Sequence, residues 1–253
     1  PAKDNVVSIE PSYGMYRVAA DINNVEVRMA LLNEDYSLNV DAVLNAVNAN
    51  TKLVFLCSPN NPTANLLNQN DVKRIIDNFS GIVVIDEAYI DFSPEATWLN
   101  KLGNYPNLVI LQTFSKAWGM AGIRLGMAFA ALGIIQVLNK IKYPYNLNML
   151  TQRKAMELLE KEQEKAEWVK TILDERDILK NALEKLPFVK TIFPSDANFL
   201  LVKMDDANGI YTKLTEQSVI VRNRSSVKLC DGSLRITVGA PNENSQLIKA
   251  LNA

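Results

Sequence analysis

Histidine is absent from the 253 residues, which removes serine–histidine triads, imidazole general bases and most zinc hydrolases together. Protons must then be moved by lysine, tyrosine or carboxylates. Cysteine occurs only at Cys57 and Cys230, too few for a disulfide framework and without the paired spacing of a zinc site, so no metal is expected and a reducing cytoplasm is. No apolar run reaches the length of a membrane span, and residues 1–5 lack the charged and apolar regions of a signal peptide. An excess of one charge sign is missing too. The 27 basic residues nearly balance 28 acidic ones, which gives no electrostatic reason to expect nucleic acid or an anionic membrane surface as partner. A small-molecule substrate is the expectation.

What is present is a chain 48% hydrophobic, enough to bury a substantial core, without internal repeats or low-complexity tracts. Up to residue 143, short apolar runs at 25–31, 53–57, 82–86 and 108–112 read as strands. Between them, 41–49 and 68–79 have helical apolar spacing. This alternation predicts an α/β fold: a mainly parallel sheet with helices on both faces, whose ligands gather at the carboxyl ends of the strands. From 152 to 186 the spacing predicts one long charged helix, with Leu158, Leu159, Trp168, Ile172, Leu179 and Leu183 as its buried stripe and Glu157 paired with Lys161 on its solvated side. Pro187 is expected to end it. Strands at 188–193, 198–203, 219–222 and 234–238 and a helix at 242–251 then suggest a smaller α+β domain. The expected division is 1–143 for the large domain and 144–253 for the small domain with its linking helix.

The chemistry gathers after two strands. Lys116 lies between hydroxyls, glycines and an arginine in Thr113-Phe114-Ser115-Lys116-Ala117-Trp118-Gly119, the setting of a lysine that forms an imine, for which it must lose its proton near neutral pH. Asp86 follows four apolar residues, where an unpaired carboxylate is costly, and so needs a partner such as a protonated ring nitrogen. Tyr89 and Asn61, the latter held in Ser58-Pro59-Asn60-Asn61-Pro62-Thr63, could meet a phenolic oxygen. Thr113, Ser115 and Arg124 could hold a phosphate. Together these groups point to pyridoxal phosphate. Arg222 and Arg235, thirteen residues apart on apolar strands, suit a substrate anion. Each residue alone also has an ordinary reading, as a surface cation, a structural ion pair or a turn former.

In combination, Cys57-Ser58-Pro59-Asn60-Asn61-Pro62-Thr63, Asp86-Glu87-Ala88-Tyr89, Ser115-Lys116 with Gly122-Ile123-Arg124, and Leu234-Arg235-Ile236-Thr237-Val238-Gly239 resemble fold-type I, class II aminotransferases, in particular the histidinol-phosphate aminotransferases. The resemblance runs from about Glu10 to the C-terminus. It implies pyridoxal 5'-phosphate as cofactor, with Tyr13 stacked on its ring, Asn61 and Tyr89 on its phenolic oxygen, Asp86 on its ring nitrogen and Lys116 as the imine lysine. Thr113, Ser115 and Arg124 would hold its phosphate, and Asn61, Arg222 and Arg235 the substrate. It further implies transamination between L-histidinol phosphate and 2-oxoglutarate, giving L-glutamate, in L-histidine biosynthesis, by a cytoplasmic homodimer. A threonine-phosphate decarboxylase-like enzyme, a broader aromatic aminotransferase and a non-catalytic remnant of the fold are the rival readings.

Two departures from the family pattern carry expectations. Ala64 stands where the family usually has glycine, which would strain the backbone if φ is positive there. Family members also carry a long segment before the Tyr13 motif, including an arm to the partner subunit and a loop that binds the cofactor phosphate. Only twelve residues precede Tyr13 here; if these 253 residues are the whole polypeptide, weakened cofactor binding and low or no transamination are expected.

Overall fold

The computed structural model describes residues 3–252. Pro1, Ala2 and Ala253, which include the start of the stretch read for a signal peptide and the outer ends of both expected domains, lie outside the described residues.

The first half follows the alternating pattern. In chain order it comprises β1 (Asn5–Glu10), α1 (Met15–Ile22), β2 (Glu26–Leu31), α2 (Val40–Ala46), β3 (Thr51–Cys57), α3 (Gln69–Asn78), β4 (Ile82–Asp86), β5 (Leu108–Thr113) and β6 (Gly126–Ala130). They form one sheet in the order β2-β1-β3-β4-β5-β6. All neighbours are parallel except β5 and β6. Asparagines set two of the helix starts: Asn39 accepts from the Ala42 amide and Asn68 from the Asn70 amide, satisfying donors that the first helical turn leaves free.

Side-chain alternation sends Val54 and Leu56 of β3 into a core with Val43 of α2 and Val72 and Ile75 of α3. Phe55, between them, faces the other way, where Tyr16 of α1 stacks on it at 4.9 Å between ring centroids. Helices therefore cover both faces of the sheet, as expected. The last strand reverses direction because the chain turns on itself between β5 and β6, with Gly119 at φ 65° and Arg124 at φ 55°.

After β6 come α4 (Leu132–Ile141), α5 (Met149–Leu159) and α6 (Glu162–Leu183). The long helix expected over 152–186 is thus two helices. The Lys161 amide turns back to the Leu158 carbonyl at 2.8 Å, a tightened last turn that closes α5. Each half is anchored separately: Thr151 of α5 donates to the Ile123 carbonyl at 3.1 Å, and Lys165 of α6 pairs with Asp91 at 2.8 Å. The predicted stripe is corrected accordingly. Leu158, Leu179 and Leu183 are buried, whereas Leu159 is 56% and Trp168 41% exposed. Glu157 pairs with Lys154, and Lys161 with Glu164, in place of the pair expected between Glu157 and Lys161.

The remaining elements are β7 (Val189–Ile192), β8 (Phe199–Met204), α7 (Ala207–Glu216), β9 (Arg222–Asn223), β10 (Ser233–Thr237) and α8 (Pro241–Asn252). The strands make an antiparallel sheet in the order β7-β8-β10-β9. The strand expected at 219–222 is in fact confined to Arg222–Asn223: Val221 packs into the helix-side core while only the next two residues reach β10. Leu234 and Ile236 of β10 join Leu179, Leu183, Leu247 and Leu251 in that core. Arg235, between them, is directed to the opposite face, where a small cluster including Ala64, Tyr89, Ala117 and Phe199 bridges the two sheets.

Candidate active site

The register of the parallel strands places Cys57, Asp86 and Leu111 side by side at the carboxyl edge of the sheet. Loops leaving that edge supply Tyr13, Asn61, Tyr89, Ser115, Lys116 and Arg124, Thr113 ends β5, and Arg222 and Arg235 come from β9 and β10 of the small sheet. The turn after β3 is built around Asn60, which is fully buried. It donates to the Pro11 carbonyl at 2.9 Å and to Thr63 Oγ1 at 2.7 Å, and accepts from Ser12 Oγ at 2.9 Å. These bonds fix the turn and leave the neighbouring Asn61 to face the cleft. Ala64 closes the turn at φ 70°, the left-handed conformation in which alanine is strained relative to glycine.

Asp86 is held by two donors, the Tyr16 hydroxyl at 2.6 Å on Oδ2 and the Ala88 amide at 3.0 Å on Oδ1. Burial raises its pKa above the ordinary carboxylate value, opposed by both hydrogen bonds and by the charge of Lys116. Burial raises the Tyr16 phenol strongly, with the nearby Cys57 and Asp86 adding to the effect, so the phenol remains a donor. Beside Asp86, the buried carboxylate of Glu87 accepts from the Trp98 amide at 2.6 Å, Thr97 Oγ1 at 2.8 Å and Gln112 Nε2 at 2.9 Å. Glu87 thereby ties the end of β4 to β5 and to the following loop.

Lys116 sits in the tight connection after β5, where the Gly119 amide returns to its carbonyl at 2.9 Å. Its amine is half-buried and lies 5.1 Å from the centre of the Tyr89 ring. Burial, followed by the charge of Arg235, lowers its pKa, against the attraction of Asp86. The neutral amine needed for nucleophilic and basic chemistry is thereby favoured. Burial also pushes the Tyr89 phenol up to about 12, against the charge of Arg235. Nearby, Thr113 Oγ1 and Ser115 Oγ are 2.9 Å apart, and the Ser115 amide donates to Thr113 Oγ1 at 3.0 Å. Arg124 donates to the Ala121 carbonyl at 2.8 Å.

These residues surround two adjoining cavities. The first, of about 590 Å³, is lined by Tyr13, Asn61, Asp86, Tyr89, Thr113, Ser115, Lys116 and Arg124, among others. The second, also about 590 Å³, is lined by Arg222 and Arg235 and shares Tyr13, Asn61, Tyr89 and Lys116 with the first. Arg235 donates to Asn61 Oδ1 at 2.7 Å and lies over the Phe199 ring, so the two cavities meet at a direct contact between the sheets. Every candidate residue predicted from the sequence thus borders one or both cavities. Tyr16, Glu87, Asn60 and Arg224 were not anticipated. The available signals were the aromatic three positions after Tyr13 on one helix and the arginine two positions after Arg222.

The donor set fits pyridoxal phosphate. A buried acid, an amine with depressed basicity, two groups able to meet a phenolic oxygen and a hydroxyl–guanidinium corner all face one cleft.

Comparison with known proteins agrees. The family model for aminotransferase class I and II matches residues 1–251. The histidinol-phosphate aminotransferase of Bacteroides fragilis (strain ATCC 25285) is 55% identical over 251 residues, covering 99% of this chain and 73% of that protein. That of Parabacteroides distasonis is 54% identical, with the same coverage of 99% and 73%. Among solved structures, the histidinol-phosphate aminotransferase from Clostridium acetobutylicum shares the fold with a TM-score of 0.92 at 24% identity, over 98% of this chain and 77% of that one. The chain belongs to the class I and II aminotransferase family.

Proposed function

We propose that this protein transfers the amino group of L-histidinol phosphate to 2-oxoglutarate with pyridoxal 5'-phosphate as cofactor, a step of L-histidine biosynthesis. The observation that carries the reading is the place of Lys116, whose amine borders both the cavity that contains Asp86 and the cavity that contains the arginines. The substrate follows from the relatives more than half identical to this chain.

When bound, pyridoxal phosphate supplies an electrophilic carbonyl and a ring that accepts electrons from the substrate's α-carbon. The chain's own residues do the rest. Thr113, Ser115 and Arg124 bind the cofactor phosphate, and Tyr13 stacks on the ring. Asp86, oriented by Tyr16 and the Ala88 amide, holds a proton on the ring nitrogen. Asn61 and Tyr89 bind the phenolic oxygen. Lys116 would hold the cofactor at its carbonyl carbon, and its amine, when free, would move the α-proton as general base. Arg222 and Arg235 hold the substrate anion so that the α-carbon faces Lys116.

The rest of the proposal concerns the whole protein. It acts as a homodimer, a reading supported by the exposed apolar side chains Leu132, Val137, Ile141, Tyr145, Met149 and Leu150 on and between α4 and α5. It works in the cytoplasm; no helix of the described residues is long and apolar enough to cross a membrane. The boundary between large and small domains falls near residue 143, between α4 and α5.

The test is to add pyridoxal phosphate, record the visible band of the lysine-bound cofactor, reduce with borohydride and locate the label by peptide mass. A pyridoxyl group on Lys116, and at least a 1,000-fold loss of transamination in Lys116→Ala, on the order of what removing a proton-transfer group costs, is the expected outcome. A label elsewhere, or none, would overturn the assignment and favour a non-catalytic member of the fold.

A further inference from the structure

The second cavity contains an arginine that the reading above does not use. Arg222 pairs with Arg235 across β9 and β10. The Arg224 amide bonds the Ser233 carbonyl at 2.9 Å, which extends the ladder by one residue. Strand side chains alternate, so residues 222 and 224 share a face, and a residue directly opposite 222 shares it too. Arg222, Arg224 and Arg235 therefore all project from one face of the small sheet into one cavity, which Lys116 also lines. The lining of that cavity contains no aspartate or glutamate.

The three guanidiniums differ in what already holds them. Arg235 uses one N–H on Asn61 and rests over Phe199, while its buried Nε has no partner. Among the described residues, the guanidiniums of Arg222 and Arg224 make no hydrogen bond or ion pair. Burial and the adjacent charge of Arg222 both act against the protonated form of Arg224. Like charges gathered on one partly buried face without a counter-charge are unfavourable until an anion arrives. A carboxylate carries one charge and is matched by a single bidentate arginine. A phosphate monoester carries nearly two charges and three acceptor oxygens, and it matches a wider grip.

We infer that Arg224 completes a three-arginine grip for a phosphate monoester dianion and sets the preference of this site for phosphorylated over unphosphorylated amine substrates. The inference rests on the proposed function, whose substrate carries such a group. Arg235 and Arg222 bind either kind of anion, while Arg224 acts on the extra charge and oxygens that only the phosphate presents.

The experiment compares cofactor-loaded wild type with Arg224→Gln on L-histidinol phosphate and on L-histidinol at fixed ionic strength, and measures inorganic phosphate binding by calorimetry. In the variant, KM for the phosphorylated substrate is expected to rise roughly 10–100-fold, as for loss of one or two charged hydrogen bonds, with kcat within about threefold. Phosphate binding should weaken in parallel, and KM for L-histidinol should not move. Arg224→Lys keeps the charge and loses the fork; it should give a smaller rise, and it supplies the measurement if the glutamine variant does not fold. Equal changes for both substrates, or unchanged phosphate binding, would overturn the inference. A wild type that uses L-histidinol as well as its phosphate would instead overturn the substrate reading on which it rests.

Discussion

Burial raises the proton affinity of Asp86 against two donors and the charge of Lys116, and one of those donors is a side chain that can be removed without opening a void. Tyr16→Phe keeps the stack on Phe55 and deletes only the hydroxyl. Losing that donor raises the proton affinity of Asp86, because the Tyr16 bond lowers its pKa in the native protein. In the proposed placement, where Asp86 would pair with the ring nitrogen of the cofactor, it would then compete better for that proton. With cofactor bound, the pH midpoint of its visible band should then rise by about one unit, the equivalent of a single net hydrogen bond. The rate constant kcat should fall on the order of tenfold, with cofactor affinity little changed. An unmoved midpoint would mean that Tyr16 serves packing alone. At this scale the sequence was legible where chemistry and position coincide. Asn61, Asp86 and Lys116 each follow an apolar run that ends at the sheet's carboxyl edge, whereas for Ala64 the sequence raised only the condition of a positive φ, which the structure supplies. Tyr16 was not legible, because its role depends on a partner 70 residues away.

Helix and strand positions were readable where a period is strong, as in the strand over Ile82–Asp86. They failed where tertiary contacts choose among equally periodic residues. Leu159 and Leu183 both satisfied one helical stripe, yet α5 and α6 are separate helices docked on different supports. Leu183→Ala should cost about 3 kcal/mol in chemical unfolding, since Leu183 is fully enclosed and the pocket cannot collapse completely. Leu159→Ala should change stability by no more than about 0.5 kcal/mol. Comparable losses at both positions would indicate one continuous buried stripe. The antiparallel β6 was missed for a related reason. Its direction is set by the turns around Gly119 and Arg124, not by the hydrophobicity of the strand itself.

On the scale of the molecule, the near balance of charge hides a local imbalance. The chain carries 28 acidic residues, but none of the side chains lining the second cavity is acidic. Sequence order revealed β2 to β5, but neither β1 nor β6 of the same sheet. It did not reveal that the face of the small sheet bearing Arg222, Arg224 and Arg235 would lie beside Asn61, a contact 174 residues apart in the chain. That single cationic face also decides the order of events in a catalytic cycle. On the roles proposed for Arg222, Arg235 and Lys116, the anions of the amine donor and of the keto acceptor would use the same face, so the two molecules would exclude one another and visit in turn. Double-reciprocal plots at several fixed acceptor concentrations should be parallel, and excess acceptor should inhibit competitively against the donor. Intersecting lines would mean that donor and acceptor are held together, with the second anion bound away from the arginines.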